Sequence, residues 1–157
     1  MLEPSVIHST FVIERRYPYP AQRVFAAFAD PKQKRRWFGE GDHHDVEQFD
    51  MDFRVGGRDR MQYRFKEGST FPGVVLSNDF LYQDIVSDQR IVTSSTMTLG
   101  GKRISCSLVT IELLPTATGT DLICTHQGAF FEGSGGPQMR EAGWRKLFDN
   151  LETELAR

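Results

Sequence analysis

The stretch Pro137–Leu155, PQMREAGWRKLFDNLETEL, decides how the rest of this chain is read. Met139, Gly143, Trp144, Leu147, Phe148, Leu151 and Leu155 fall at i, i+3, i+4 and i+7 spacing. Arg140, Arg145, Lys146, Asp149, Glu152 and Glu154 lie mostly on the other side. That period predicts one long amphipathic helix, which must bury its apolar stripe against another element.

The segment upstream supplies that element. From Asp45 onward the pattern alternates with period two and is broken by turns, predicting strands at Asp45–Phe53, Arg58–Lys66, Val74–Ile85, Arg90–Leu99, Lys102–Leu114 and Thr120–Phe130. Gly56-Gly57, Glu67-Gly68, Ser87-Asp88, Gly100-Gly101 and PTATGT separate them with turn chemistry. Strands joined so tightly must be antiparallel neighbours. The β-rich Val6–Tyr17 adds a first strand. PYPAQRVFAAFAD then begins with two prolines and places Val24, Phe25 and Phe28 at helical spacing. Asp30-Pro31 ends that helix and caps a second short one, Pro31–Trp37. The expected class is α+β: a curved antiparallel sheet of about six to seven strands gripping the C-terminal helix, with two short helices after the first strand.

The bulk properties agree. The chain has 157 residues, 39% hydrophobic and 25% charged, and a net charge of −2. That is the size of one domain, residues 1–157, with no general electrostatic attraction to nucleic acid or anionic membranes. MLEPSVIHST lacks the basic and apolar regions of a signal peptide, and no apolar run reaches transmembrane length. Two cysteines make no disulfide framework. A cytoplasmic location is the expectation.

Three stretches carry a family likeness: YPYPAQRVFAAFADPKQKRRWFG, FDMDFRVGGRDRMQYRF and EAGWRKLFDNLETELA. Their landmarks are Pro20, Val24, Phe25, Asp30, Pro31, Trp37, Arg54, Val55, Gly56, Gly57, Gly143 and Trp144. The chain resembles the START-like (SRPBCC) superfamily, and more narrowly its single-domain bacterial branch named after the activator of heat-shock-protein-90 ATPase. The resemblance spans nearly the whole chain. It implies a START-like, birch-pollen-allergen-like helix-grip fold with a hydrophobic pocket. The superfamily includes lipid and hormone carriers and polyketide aromatase/cyclases, so fold alone does not select an activity.

Candidate sites follow from the pattern. Lys32, Lys34, Arg35 and Arg36 read as a solvated face near a helix end, where positive charge is favoured. Asp42, His43, His44, Asp45 and Glu47 are metal-capable types. Adjacent histidines on an extended segment point to opposite sides, however, so no metal is expected. Arg54-Val55-Gly56-Gly57 reads as a turn rather than a phosphate cradle.

In the last hairpin, a turn at Thr116–Gly119 puts Leu122, Cys124, His126, Gly128 and Phe130 on one face. Ile104, Cys106, Leu108 and Thr110 are expected to share it. His126 then looks inward, as a hydrogen-bonded core residue or as the best candidate for acid/base work. Cys106 and Cys124 fall too far apart along the ladder for a bridge and are expected to be buried free thiols. The expected ligand-binding set is Trp37, Phe38, Tyr63, Phe65, Tyr82, Thr96, Leu108, Cys124, His126, Trp144 and Phe148, with Arg15 a further polar candidate.

The leading expectation is a binding module for a small hydrophobic molecule, aromatic or lipid-like, without a cofactor. The alternatives are a cyclase, dehydratase or hydrolase using His126, and a stress-response or chaperone-associated interaction protein. A homodimer is left open.

Overall fold

The computed structural model describes residues 5–157, so the first four residues of the N-terminal segment lie outside it. Strand β1 (Ile7–Tyr17) leads into helices α1 (Ala21–Ala29) and α2 (Pro31–Lys34) and a π-helical turn (Arg35–Gly39). Strands β2 (His44–Met51), β3 (Arg58–Phe65), β4 (Val75–Val86), β5 (Arg90–Leu99), β6 (Lys102–Thr116) and β7 (Gly119–Phe130) follow, and α3 (Gly136–Leu155) closes the chain. The strands form one antiparallel sheet in the order β1-β7-β6-β5-β4-β3-β2. Consecutive strands are neighbours except where the two short helices carry the chain from one edge to the other.

The second helix is shorter than expected. Asp30 caps it by accepting the Lys32 N–H at 3.0 Å, but after Lys34 the turn widens. The Glu40 N–H reaches back to the Arg35 carbonyl at 2.9 Å, the longer span of a π turn. This turn carries Trp37 and Phe38 into the core together. Its last residue is glycine for a steric reason: a Cβ on Gly39 would come within 2.9 Å of the Phe49 ring.

Irregular pairing at Val46/Gln48, Tyr82/Asp84 and Met97/Thr98 bends the sheet. Helix α3 is then held chiefly along its C-terminal half. The Tyr17 hydroxyl donates to the Phe148 carbonyl at 2.9 Å, and Arg15 pairs with Asp149 at 2.7 Å. From the helical layer, Asn150 donates to the Trp37 carbonyl at 3.3 Å. Arg36 clasps the buried Glu154 with two bonds of 2.8 and 2.7 Å. Trp144, Phe148, Leu151 and Leu155 are buried, whereas Met139 is 63% exposed. The apolar stripe therefore grips the sheet at one end and stands away from it at the other.

The basic segment is not simply a solvated face. Lys34 is buried and pairs at 2.7 Å with Asp59, which is wholly buried. The Tyr82 hydroxyl donates to the same carboxylate oxygen. The Phe38, Phe80 and Tyr82 rings surround the ammonium at 5.1–5.8 Å. Charge counting along the sequence cannot find such a pair, because its partner lies on a distant strand.

Candidate functional site

The raised N-terminal half of α3 and the inner face of β3–β6 enclose a cavity of about 430 Å³. Its size lies at the lower end of the range for small-molecule sites. Phe38, Phe80 and Trp144 form an aromatic wall, with the Phe38 ring edge-on to both others at 5.7 Å. Leu76, Leu99, Ile104, Val109 and Leu147 add aliphatic surface. The exposed Phe71 and Met139 mark the mouth, beside Gly133, Ser134 and Gly135. Positive φ at Gly133, Gly135 and Gly136 lets this loop turn sharply from β7 into α3.

Polar groups meet this apolar volume at few places. His126 is buried on β7 with its ring stacked on Phe11, centroids 4.6 Å apart. Its Nδ1 has no hydrogen-bond partner among the described residues. Gly128 makes room for this ring and Phe130, since a Cβ there would approach Phe130 to 2.7 Å and His126 to 3.0 Å. Burial, with the nearby Arg140 charge as a second cause, lowers the His126 pKa to about 4, so the imidazole is neutral at pH 7. Asn78 on β4 is buried with an unpartnered Oδ1. From α3, Arg140 donates to the Ser105 hydroxyl at 2.7 Å and to Met97 Sδ at 3.1 Å, and lies 5.3 Å from the Phe130 ring centre. Burial lowers its pKa to about 10, which leaves it charged at neutral pH. His44 donates from Nε2 to the Gly39 carbonyl at 2.7 Å and packs edge-on against Tyr63.

Of the residues expected to bind a ligand, Phe38, Tyr63, Phe65, His126 and Trp144 line the cavity. Trp37, Tyr82, Cys124 and Phe148 do not. Trp37 is sunk in the helical layer, its indole N–H donated to the Ala27 carbonyl at 2.8 Å. Tyr82 is committed to the Lys34–Asp59 pair, and Cys124 and Phe148 are fully buried in the core. Arg15 is spent on Asp149 and the Arg145 carbonyl.

Leu108 is on the other side of the sheet. His126 faces Val109 across the ladder, so Ser107, Val109, Ile111 and Leu113 share the inner face, while Cys106, Leu108 and Thr110 point outward. A register one residue away reverses every side chain of a strand. Leu108 is accordingly 39% exposed, and Cys106 is only partly buried rather than buried. Ile104 still faces inward because it is the extra residue where β6 bulges against Met97 and Thr98. Thr96 borders the cavity, but it pairs with outward Cys106 and so alternates with the inward Ser95 and Met97.

A broader groove of about 800 Å³ crosses the outer face near Cys106 and Leu108. It has no aromatic wall and is shallow, so the inner cavity is the better candidate. Among the described residues no group of three His, Cys, Asp or Glu side chains could hold a metal ion. His44 belongs to the cavity edge, and His43 is exposed.

Phe80, Asn78, Arg140, Met139 and His44 are lining residues outside the ligand set that the sequence predicts. Arg140 was set on the polar side of α3. The i, i+4 relation to Trp144 was the signal that it reaches over the same face.

Comparisons with known proteins agree with this architecture. The family described as Activator of Hsp90 ATPase homolog 1-like protein matches residues 18–156. A solved structure from Rhizobium leguminosarum is 35% identical, with a TM-score of 0.90 over 98% of this chain and 97% of that one. The Mll3558 protein from Rhizobium loti is 46% identical, with a TM-score of 0.85 over 96% and 99%. An AHSA1-like protein from Aeromonas hydrophila shares the fold at 20% identity, with a TM-score of 0.68 over 94% and 92%. A search of curated proteins found no match. No helix among the described residues is long and apolar enough to cross a membrane. Its curved seven-stranded sheet, its long C-terminal helix and the match over residues 18–156 make this chain a member of the Activator of Hsp90 ATPase homolog 1-like family, with the helix-grip fold.

Proposed function

We propose that the chain binds a small apolar molecule, aromatic or lipid-like, between β3–β6 and the raised half of α3, and that it does so in the cytoplasm. The observation carrying this reading is the cavity of about 430 Å³, walled by Phe38, Phe80 and Trp144 and open beside Met139. An apolar volume with a few polar groups is what small-molecule sites generally offer.

The neutral dye N-phenyl-1-naphthylamine tests it. Saturable binding should quench Trp144 fluorescence. Gly143 lines the cavity, and a Cβ built on it meets no atom within 4 Å, so Gly143→Leu should occupy ligand space without disturbing the core. That variant should fold normally and lose at least tenfold in affinity. Dye binding unaffected by Gly143→Leu would place the site elsewhere, and absence of saturable binding would defeat the reading.

A second reading, a small cyclase, dehydratase or hydrolase, draws on the unpartnered Nδ1 of His126. Among the described residues no hydroxyl, thiol or carboxylate is hydrogen-bonded to this ring, so it lacks the activated pair that nucleophilic catalysis uses. His126→Gln separates the two readings. A binding module keeps its affinity within the scale of one hydrogen bond, about tenfold at most, while an enzyme loses turnover by about a hundredfold or more.

A further inference from the structure

The Arg140 guanidinium has more donors than its surroundings use. Both of its bonds leave from Nη2, to Ser105 and to the Met97 sulfur. Among the described residues no carboxylate pairs with it, whereas Lys34 has Asp59 and Arg36 has Glu154. A half-buried cation flanked by the Phe130 ring and a thioether has given up water without gaining a counter-ion. Two further observations point the same way. His126, more than nine-tenths buried, lines the same cavity with an unpartnered Nδ1 that donates in one of its neutral tautomers. The 20-residue α3 also begins at this cavity: the Ser134 hydroxyl accepts the Gly136 N–H at 3.0 Å, but no acidic residue in the first turn offsets the positive end of the helix.

We propose that the occupant is an amphiphilic acid: an apolar body seated against Trp144 and Phe38, with one carboxylate held by Arg140. This rests on the pocket reading above and specifies its ligand class. Among the described residues, Nε and Nη1 carry N–H groups free of partners, from which a carboxylate accepts charge-assisted hydrogen bonds. Neutral His126, in the tautomer protonated at Nδ1, can donate a hydrogen bond to the acid without competing charge. Met97 and Phe130 keep the guanidinium shielded, so the ion pair forms where it is stronger than at an open surface.

The test compares 1-naphthylacetate with its neutral isostere 1-naphthylacetamide by calorimetric titration at pH 7. The wild type is measured first and should prefer the acid by about tenfold or more, the scale of a charge-assisted bond. In Arg140→Gln the acid should lose that advantage while the amide stays within twofold. Arg140→Lys, measured alongside in case Gln impairs folding, keeps the charge but not the planar guanidinium held by Ser105 and should retain only part of the preference. Equal binding of acid and amide by the wild type would overturn the proposal and leave the pocket reading standing. Equal losses for both probes in Arg140→Gln would also overturn it, because Arg140 would then only shape the cavity. If the acid, the amide and the neutral dye all fail to bind, both readings fall together.

Discussion

Replacing Asp59 by Asn probes the strongest electrostatic commitment in the fold. Lys34 Nζ and Asp59 Oδ2 are 2.7 Å apart, and Asp59 is wholly buried. At an effective dielectric of about 20 their attraction is about 6 kcal/mol, opposed by a desolvation cost of several kcal/mol for each ion. The pair as a whole therefore adds little, but removing one member orphans the other. Asp59→Asn preserves shape and an acceptor for Tyr82, yet leaves the Lys34 ammonium unpaired among aromatic rings. The expected loss is about 3–5 kcal/mol. For a chain of this size each kcal/mol moves Tm by about 2–4 °C, so the midpoint should fall by about 6–20 °C. Urea unfolding and thermal scans measure it, provided the transition is two-state. The triple variant Lys34→Met, Asp59→Leu, Tyr82→Phe removes both charges and the hydroxyl that would lose its acceptor, and should recover most of the loss. A cost below about 1 kcal/mol for Asp59→Asn would mean that water reaches the pair. A triple variant as unstable as the single one would trace the loss to packing rather than unpaired charge.

Three other outcomes are expected. The His126 pKa is lowered to about 4 from the ordinary 6.5, so between those values the unfolded chain binds a proton that the folded chain does not. Stability should fall by up to about 3 kcal/mol as pH drops from 6.5 to 4. His126→Gln should flatten a plot of Tm against pH over that window, and an unchanged slope would refute the assignment. Gly143→Ala should stabilise the fold by about 1 kcal/mol, since a helix-interior glycine is replaced where the added methyl meets nothing; a lower urea midpoint would show that this half of α3 packs more closely. A thiol reagent should label Cys106 quickly in the native state and Cys124 only on unfolding, because burial pushes the Cys124 thiol up to about 12. Two equally fast sites in native protein would contradict that difference.

Much of the architecture is local, and local patterns carried it. The heptad-like spacing of Trp144, Phe148, Leu151 and Leu155 predicts α3, and period-two alternation with glycine turns predicts the strands of β2–β7 within a few residues. Both are properties of neighbouring residues, so they are written in the chain itself. The inward direction of His126 was legible for the same reason, because alternation along β7 places it with Leu122 and Cys124. Depth and pairing are different quantities. A one-residue ambiguity in the last hairpin was enough to put Leu108 on the wrong side of the sheet. Whether an apolar side chain on the correct face meets core or cavity depends on how far α3 stands from the sheet there. That distance separates Phe148, which is packed solid, from Trp144 four residues earlier, which walls the cavity. Lys34 and Arg140 make the same point for charge. One is buried against a carboxylate 25 positions away and the other reaches the cavity without one, because a charged side chain's environment is set by partners that only the folded chain brings within reach.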